Sequence, residues 1–154
     1  MLRQLELKIM PMALMLICAL LMAALKWVLP TLDLPLLLND LFGSGLILLG
    51  VAIVLAGGWA FRKAQTTFNP RTPAAARELV VSGVYRYSRN PMYLGFLIIL
   101  LGWADLLANL ASFTVLPLFI LYLNRFQIQP EERSMHALFG AQFVRYCQQV
   151  RRWI

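Results

Sequence analysis

The chain has 154 residues, of which 60% are hydrophobic and only 14% are charged, and its formal net charge is +7. About half of the residues of a soluble domain are apolar, so this composition excludes an ordinary soluble protein. The arginines flank apolar runs, which indicates orientation in a membrane and argues against nucleic acid as a partner. The two cysteines lie far apart, in an apolar and a polar stretch, so they predict no disulfide.

Two long apolar runs come first, Ile9–Leu29 and Leu41–Phe61, with 21 residues each. At about 1.5 Å per helical residue each run reaches roughly 30 Å, which is the thickness of the hydrocarbon core. We therefore predict two transmembrane helices within residues 1–61. A short turn is expected at residues 32–40, and Lys26 near the end of the first run is expected to snorkel to the interface.

Two shorter apolar runs follow, Met92–Leu107 and Ala111–Asn124, and only three residues separate them. They predict a tight helical hairpin that is too short to cross the whole bilayer comfortably. Pro91 suits the first turn of the third helix, where its missing N–H costs nothing. Pro117 is expected to kink the fourth helix.

The stretch from Gln129 to Arg152 predicts an amphipathic helix with Glu131 and Glu132 in its first turn. Its apolar residues recur at spacings of three and four, at Met135, Leu138, Phe139, Phe143, Tyr146 and Val150. The predicted fold class is therefore all-α. It is a polytopic membrane protein with four hydrophobic helices, the third and fourth a short hairpin, plus a cytosolic C-terminal amphipathic helix.

The distribution of basic residues predicts the orientation. Thirteen of the 14 lysines and arginines fall before the first run, between the second and third runs, or after the fourth, and only Lys26 lies towards the other side. The positive-inside rule then places both termini and the central loop in the cytosol. We expect an integral protein of a bacterial inner membrane, with the bilayer itself as one partner.

Glycines recur along the second run and in the third. Gly43, Gly45, Gly50, Gly57 and Gly58 are expected to let helices approach closely. Gly95 and Gly102 are expected to line a groove between the hairpin and the two longer helices. A lipophilic molecule could enter such a groove from the membrane.

The most informative stretch is the polar loop before the third run, which combines arginines, tyrosines, an asparagine and a proline. Burying these groups unpaired is costly, and the same is true of the Glu131–Glu132 pair. Their most economical arrangement is against each other, with the carboxylates facing the arginines and tyrosines. The sequence therefore predicts a polar pocket at the cytosolic mouth of the hairpin, open sideways to lipid. His136 has no partners that would complete a metal site, so no metal is expected.

These residues carry a resemblance to a known family. The pattern runs Gly83-x-Tyr85-Arg86-x-Ser88-Arg89-Asn90-Pro91-x-Tyr93-x-Gly95 and continues after two apolar helices. It then has Glu131-Glu132-Arg133, Phe139-Gly140, Tyr146 and Val150-Arg151-Arg152-Trp153. It resembles the isoprenylcysteine carboxyl methyltransferases and the related phospholipid N-methyltransferases from residue 72 to residue 154. The family loop usually reads Arg-His-Pro-x-Tyr. Asn90 stands in place of the histidine and keeps hydrogen-bonding capacity, but it cannot transfer a proton.

The resemblance implies transfer of a methyl group from S-adenosylmethionine. Residues 1–154 would form one membrane domain, with residues 62–154 as its cofactor-binding catalytic core. Arg89 and Glu132 are the expected catalytic residues. The expected cofactor-binding residues are Tyr85, Arg89, Asn90, Pro91, Tyr93, Leu94, Glu131 and Glu132. Arginine suits the cofactor's carboxylate, and Glu132 is expected to hydrogen-bond its ribose diol.

The methyl acceptor stays open at this point. It is expected to be lipophilic or membrane-associated, and an isoprenylcysteine carboxylate, a phospholipid amine, a quinone-like compound and a small thiol all remain. Two other functions also remain, an NADPH-dependent membrane reductase similar to sterol reductases and a catalytically silent protein that keeps the fold. The sequence does not indicate an oligomeric state.

Overall fold

The computed structural model describes residues 6–30, 40–64 and 78–154, and every regular element among them is helical. The α-helices are α1 (Pro11–Val28), α2 (Asp40–Lys63), α3 (Pro91–Leu107), α4 (Leu110–Phe113), α5 (Val115–Tyr122) and α6 (Gln129–Gln149). A 3₁₀ turn spans Gly83–Arg86, and a π-helical segment spans Leu123–Ile128. Residues 32–39 of the predicted turn and the basic residues Arg3, Arg71 and Arg77 lie outside the described residues, and Asp40 is already the first residue of α2.

Prolines begin two of the predicted helices. Pro11 is the first residue of α1 and Pro91 the first of α3, where their fixed φ favours helix entry. α3 ends at Leu107, and the next residue, Ala108, has a left-handed backbone (φ 48°) that reverses the chain. Asn109 then starts α4, because its side-chain oxygen accepts a hydrogen bond of 3.0 Å from the Ala111 backbone N–H.

Three helical runs in the described part of the chain are long and apolar enough to cross a membrane. They are Pro11–Val28, Asp40–Lys63 and the run Leu110–Gln149, which includes α4, α5 and α6. α3 has 17 residues, so at about 1.5 Å per residue it reaches only roughly 25 Å. The described part of the chain is thus all-helical with three candidate membrane spans, while the cytosolic placement of the termini stays a prediction.

The fourth helix is not separate from the C-terminal helix, which is a correction to the predicted organisation. The chain passes from α5 through the π-helical segment into α6 without leaving helical geometry. The interruption lies earlier, at Thr114, so Pro117 stands in the first turn of α5 and its missing N–H leaves no bond broken. A second irregularity is Gly140 in α6, which has a positive φ of 47°.

Glycines allow α2 and α3 to form the most extensive helix–helix contact among the described elements. A Cβ atom on Gly50 would lie 2.6 Å from the Gly95 carbonyl oxygen, and one on Gly102 would lie 2.5 Å from that of Gly43. Gly43, Gly50 and Gly57 therefore have the predicted role. Gly45 and Gly58 do not, since nothing lies within 4 Å of a Cβ built on either.

The same contact corrects the predicted position of the lipid groove. Gly95 and Gly102 are buried against the α2 backbone and do not face an open groove. A bulky side chain at either position would separate two helices instead of blocking a passage. Any lateral opening must therefore lie on another face of α3.

α1 packs on α3 away from the glycine contact. Leu14, Cys18 and Met22 join Phe96, Leu100 and Phe119 in the main apolar core. At the far end Lys26 Nζ donates a hydrogen bond of 2.7 Å to the Leu107 carbonyl oxygen. Lys26 thus caps the last turn of α3, where a cation also complements the helix dipole, and its snorkelling to the interface stays a prediction.

Candidate functional site

A cavity of about 300 Å³ lies where the beginning of α3 meets the beginning of α6. Its polar wall contains side chains from the loop before α3, from α3 and from α6: Glu78, Tyr85, Arg89, Asn90, Tyr93, Glu131, Glu132 and Tyr146. Its apolar wall includes Met10, Pro11 and Met12 of the α1 end together with Val54 and Phe61 of α2. One space therefore joins a charged wall to an apolar one.

The loop before α3 is held by backbone and ring contacts. Gly83 begins the 3₁₀ turn with a positive φ of 62°, a conformation that glycine adopts without strain. The Tyr85 ring is buried edge-on against Phe61 of α2, with ring centroids 5.3 Å apart. Its backbone carbonyl accepts a 2.8 Å hydrogen bond from the Tyr146 hydroxyl. Burial raises the pKa of the Tyr85 phenol, so it stays neutral in the cavity wall.

Glu132 is the centre of a three-residue ionic cluster with Arg89 and Arg152. Arg89 Nη2 lies 2.8 Å from Glu132 Oε1. Arg152 Nη2 lies 2.6 Å from Oε2, and its Nε donates to Oε1 at 3.2 Å. Both oxygens of this carboxylate are therefore engaged by guanidinium groups, and the cluster carries one net positive charge.

Glu131 has a different environment although it is the adjacent residue. The Tyr93 hydroxyl donates a 2.6 Å hydrogen bond to Glu131 Oε1. Among the described residues no hydrogen bond engages its second oxygen. On the cationic side, the buried Nε of Arg89 likewise has no partner in the described part of the chain. Arg89 and Glu131 both line the cavity, and each has one side-chain polar atom without a partner among the described residues.

The structure brings six of the eight predicted site residues to the cavity: Tyr85, Arg89, Asn90, Tyr93, Glu131 and Glu132. Pro91 and Leu94 do not line it. Pro91 is buried as the first residue of α3, and the Leu94 N–H makes the helical bond to the Asn90 carbonyl oxygen. The binding role predicted for these two residues has no cavity contact to support it.

Some residues at this place were missed by the sequence reasoning. Arg152 and Tyr146 contact the loop from positions about sixty residues away, at the end of the chain. Both belong to the C-terminal part of the pattern that carries the resemblance, and that was the signal available. Met10 and Met12 lie in a plain apolar run and gave no signal.

Comparison with known proteins identifies the family. The chain matches the phospholipid methyltransferase family over residues 38–142, which is more than half of its length. The chain belongs to the phospholipid methyltransferase family. The match includes Arg89, Asn90, Tyr93, Glu131 and Glu132 of the cavity, whereas the lining residues of α1 and of the last turns of α6 lie outside it. The family points to membrane methyltransferase activity.

Individual relatives agree with this assignment. The chain is 32% identical over 114 residues to protein-S-isoprenylcysteine O-methyltransferase B of Arabidopsis thaliana, which covers 71% of the chain and 55% of that protein. The A protein of the same plant is 35% identical over 72 residues, which cover 47% of the chain and 36% of that protein. This phospholipid methyltransferase family member therefore spans about half the length of protein B and about a third of protein A.

A bacterial relative is shorter. An uncharacterized protein of Haemophilus influenzae is 44% identical over 63 residues, which are 41% of the chain and the whole of that protein. No solved structure matches this member of the phospholipid methyltransferase family.

Proposed function

We propose that the protein transfers a methyl group from S-adenosylmethionine to a lipophilic acceptor inside this cavity. The observation that carries the proposal is the cavity's two-sided wall. Arg89, Asn90, Tyr93 and Glu131 meet on one side, and apolar side chains of α1 and α2 form the other. A polar donor and a lipophilic acceptor can approach each other in such a space.

The unused polar groups fit the cofactor. S-adenosylmethionine has a carboxylate that accepts hydrogen bonds and a ribose diol that donates them. In this proposal the unpartnered Arg89 Nε would donate to the carboxylate, and the second Glu131 oxygen would accept from the diol. When bound, the cofactor supplies an already activated methyl group. The residues of the chain then have to orient the two reactants and exclude water, and orientation alone is worth roughly 7–11 kcal/mol.

The two glutamates take different roles in this proposal. Glu132 is engaged by Arg89 and Arg152, so it holds the arginines in place and has little capacity left for a ligand. Glu131 keeps one oxygen available and is oriented by Tyr93. The ribose contact that the sequence assigned to Glu132 therefore passes to Glu131.

The lipophilic acceptor is proposed to enter between α1 and α2. These two helices flank α3, and Met12 and Val54 line the cavity from either side. Met12 is 55% exposed, and in the bilayer such a side chain faces lipid. Isoprenylcysteine-like carboxylates and lipid amines both suit an apolar passage that ends at a charged wall.

The cavity volume favours S-adenosylmethionine over a nicotinamide dinucleotide. About 300 Å³ is near the lower limit for small-molecule sites, which span about 300–1,000 Å³. NADPH is roughly twice the size of S-adenosylmethionine, so it fits this space less well. A catalytically silent protein would have no need of the unused donor and acceptor groups.

Isothermal titration calorimetry of the detergent-solubilised protein separates these functions. S-adenosylhomocysteine, the product of methyl transfer, is expected to bind, whereas NADPH is not. Binding of NADPH alone would favour the reductase. Binding of neither compound would favour a silent protein.

A further inference from the structure

The segment after α6 is an extended strap that lies across the loop before α3. α6 ends where Val150 takes an extended backbone (φ −124°, ψ 130°). The four residues Val150–Trp153, which we call the C-terminal strap, then run past Ser88, Arg89 and Asn90. The strap therefore lies over residues to which the proposed function assigns cofactor binding.

Backbone carbonyls of the strap fix the loop. The Arg89 backbone N–H donates to the Arg151 carbonyl oxygen at 3.0 Å. The Asn90 side-chain amide donates to the Arg152 carbonyl oxygen at 3.0 Å, and the Ser88 hydroxyl donates to the same oxygen at 3.5 Å. The orientation of the Asn90 amide is thus set by the strap and not by its own helix, since this side chain makes no capping bond to α3.

The Arg152 side chain turns back to α6. Its guanidinium makes a two-point contact with Glu132, at 2.6 Å and 3.2 Å, which fixes the plane of that carboxylate. The carboxylate in turn holds Arg89 Nη2 at 2.8 Å. Arg152 does not line the cavity, but its partners Asn90 and Glu132 both do.

The strap is anchored beyond Arg152. The Trp153 indole N–H donates to Asn124 Oδ1 at 3.1 Å, and Asn124 belongs to the π-helical segment. The indole also packs on the main apolar core. Hydrogen bonds at Arg151 and Trp153 therefore fix the backbone on both sides of Arg152.

We infer that Arg152 is a positioning residue for the cofactor, which it serves by fixing Asn90 through its carbonyl oxygen and Arg89 through Glu132. The inference rests on the proposed function. Loss of the guanidinium would leave one Glu132 oxygen without its partner and let the Glu132–Arg89 pair rotate away from the cavity. The cofactor would then meet an Arg89 side chain without a fixed orientation, while the apolar wall that receives the acceptor would be unchanged.

The test is the affinity of the full chain for S-adenosylhomocysteine, measured by calorimetry for the parent and for Arg152→Ala. A charge-assisted contact of this kind predicts a loss of about tenfold to a hundredfold in affinity. Arg152→Lys keeps the charge but loses the planar fork, so its loss should be intermediate. Arg151→Ala is the matched control. The Arg151 side chain is exposed and only its backbone oxygen is used, so its affinity should stay within about twofold of the parent.

A thermodynamic cycle distinguishes positioning from general stability. In a Glu132→Gln background the further change Arg152→Ala should cost little additional affinity, because the partner through which it acts is already altered. The Michaelis constant for the acceptor should stay at the parent value. Parent-like affinity of Arg152→Ala, or losses that simply add with Glu132→Gln, would overturn the inference. If Arg152→Ala does not fold, the affinity of Arg152→Lys is judged by the same two results. A parent that fails to bind S-adenosylhomocysteine would refute the proposed function itself.

Discussion

The Tyr93 hydroxyl donates a 2.6 Å hydrogen bond to Glu131 Oε1, and this contact joins the first turn of α3 to the first turn of α6. The next residue, Glu132, is engaged by arginines instead. Two adjacent carboxylates thus face different partners. One holds the cationic cluster together, and the other is left with an oxygen that a ligand can use.

Replacing Tyr93 by phenylalanine tests the role of this contact. The ring is retained, but Glu131 loses the donor that orients it, so we expect affinity for S-adenosylhomocysteine to fall by about 1.5–3 kcal/mol. Tyr87→Phe is the control, because Tyr87 is 80% exposed and does not line the cavity. Calorimetry of the three proteins gives the comparison. Equal affinity of Tyr93→Phe and the parent would remove Glu131 from the proposed site.

The close contact of α2 and α3 predicts that a change of glycine to alanine has opposite effects on stability at two positions of α2. Gly50→Ala places a Cβ within 2.6 Å of the Gly95 carbonyl oxygen, so the helices must move apart at a cost of about 1–3 kcal/mol. Gly58→Ala meets nothing within 4 Å and should stabilise the helix by up to about 1 kcal/mol. When unfolding is measured by heating in detergent, Gly50→Ala should have a lower Tm than the parent, and Gly58→Ala should not. A lower Tm for both variants would mean that the helix contact is not the cause.

The proposed lipid entrance predicts that a tryptophan substitution has different effects at two residues of α1. Met12→Trp narrows the passage between α1 and α2, so it should raise the apparent KM for a lipid acceptor and leave cofactor affinity unchanged. Leu16→Trp is a matched control one turn further along, since both side chains are 55% exposed but only Met12 lines the cavity. Rates of methyl transfer to lipid vesicles give the apparent KM of both variants. Parent-like kinetics of Met12→Trp would place the entrance elsewhere.

The N-terminal segment predicts a pH-dependent stability. Glu6 pairs with Arg125 at 2.8 Å and with Arg133, and the Leu7 N–H donates to the Phe126 carbonyl oxygen at 3.0 Å. The hydrogen bond from Arg125 lowers the pKa of the Glu6 carboxyl. The pairing therefore stabilises the fold fully above the unfolded pKa of about 4.3 and is lost as the pH falls through the lower folded value.

Glu6→Gln measures this contribution. Its Tm should lie slightly below that of the parent at neutral pH, because exposed ion pairs contribute little. The difference should shrink when the pH is lowered below about 4.3. A difference in Tm that stays constant down to pH 3 would show that the carboxylate charge is not responsible.

The helices could be predicted from the sequence because each apolar run is bounded by polar residues or prolines. The predicted bounds Ile9–Leu29, Leu41–Phe61 and Met92–Leu107 differ from α1, α2 and α3 by at most two residues. The continuity of α5 with α6 could not be predicted in this way. The polar residues from Asn124 to Gln129 read as a boundary, whereas in the fold Gln127 and Ile128 are buried in a π-helical segment.

The residues of the candidate site were partly predictable for a similar reason. The loop around Arg89 and the pair Glu131–Glu132 are the polar groups left once the apolar helices are subtracted, and the structure brings them together. Arg152 was not predicted as a site residue. Its carbonyl oxygen accepts from the distant Asn90 and its guanidinium reaches back to Glu132 on α6, and no local pattern of side chains specifies either contact. The lateral opening was misplaced because a glycine in a membrane helix can equally mark a groove or a close contact.

Membrane methyl transfer is tested most directly by following the methyl group itself. Membranes containing the parent protein are incubated with S-adenosylmethionine that carries tritium in its methyl group, and the lipids are then extracted into organic solvent. We predict that tritium appears in the lipid extract with the parent and with Tyr87→Phe, and falls to background with Glu131→Gln or Arg89→Ala. Tritium in the lipid extract that does not depend on Arg89 or Glu131, or no transfer by a folded parent that binds S-adenosylhomocysteine, would contradict the proposed function.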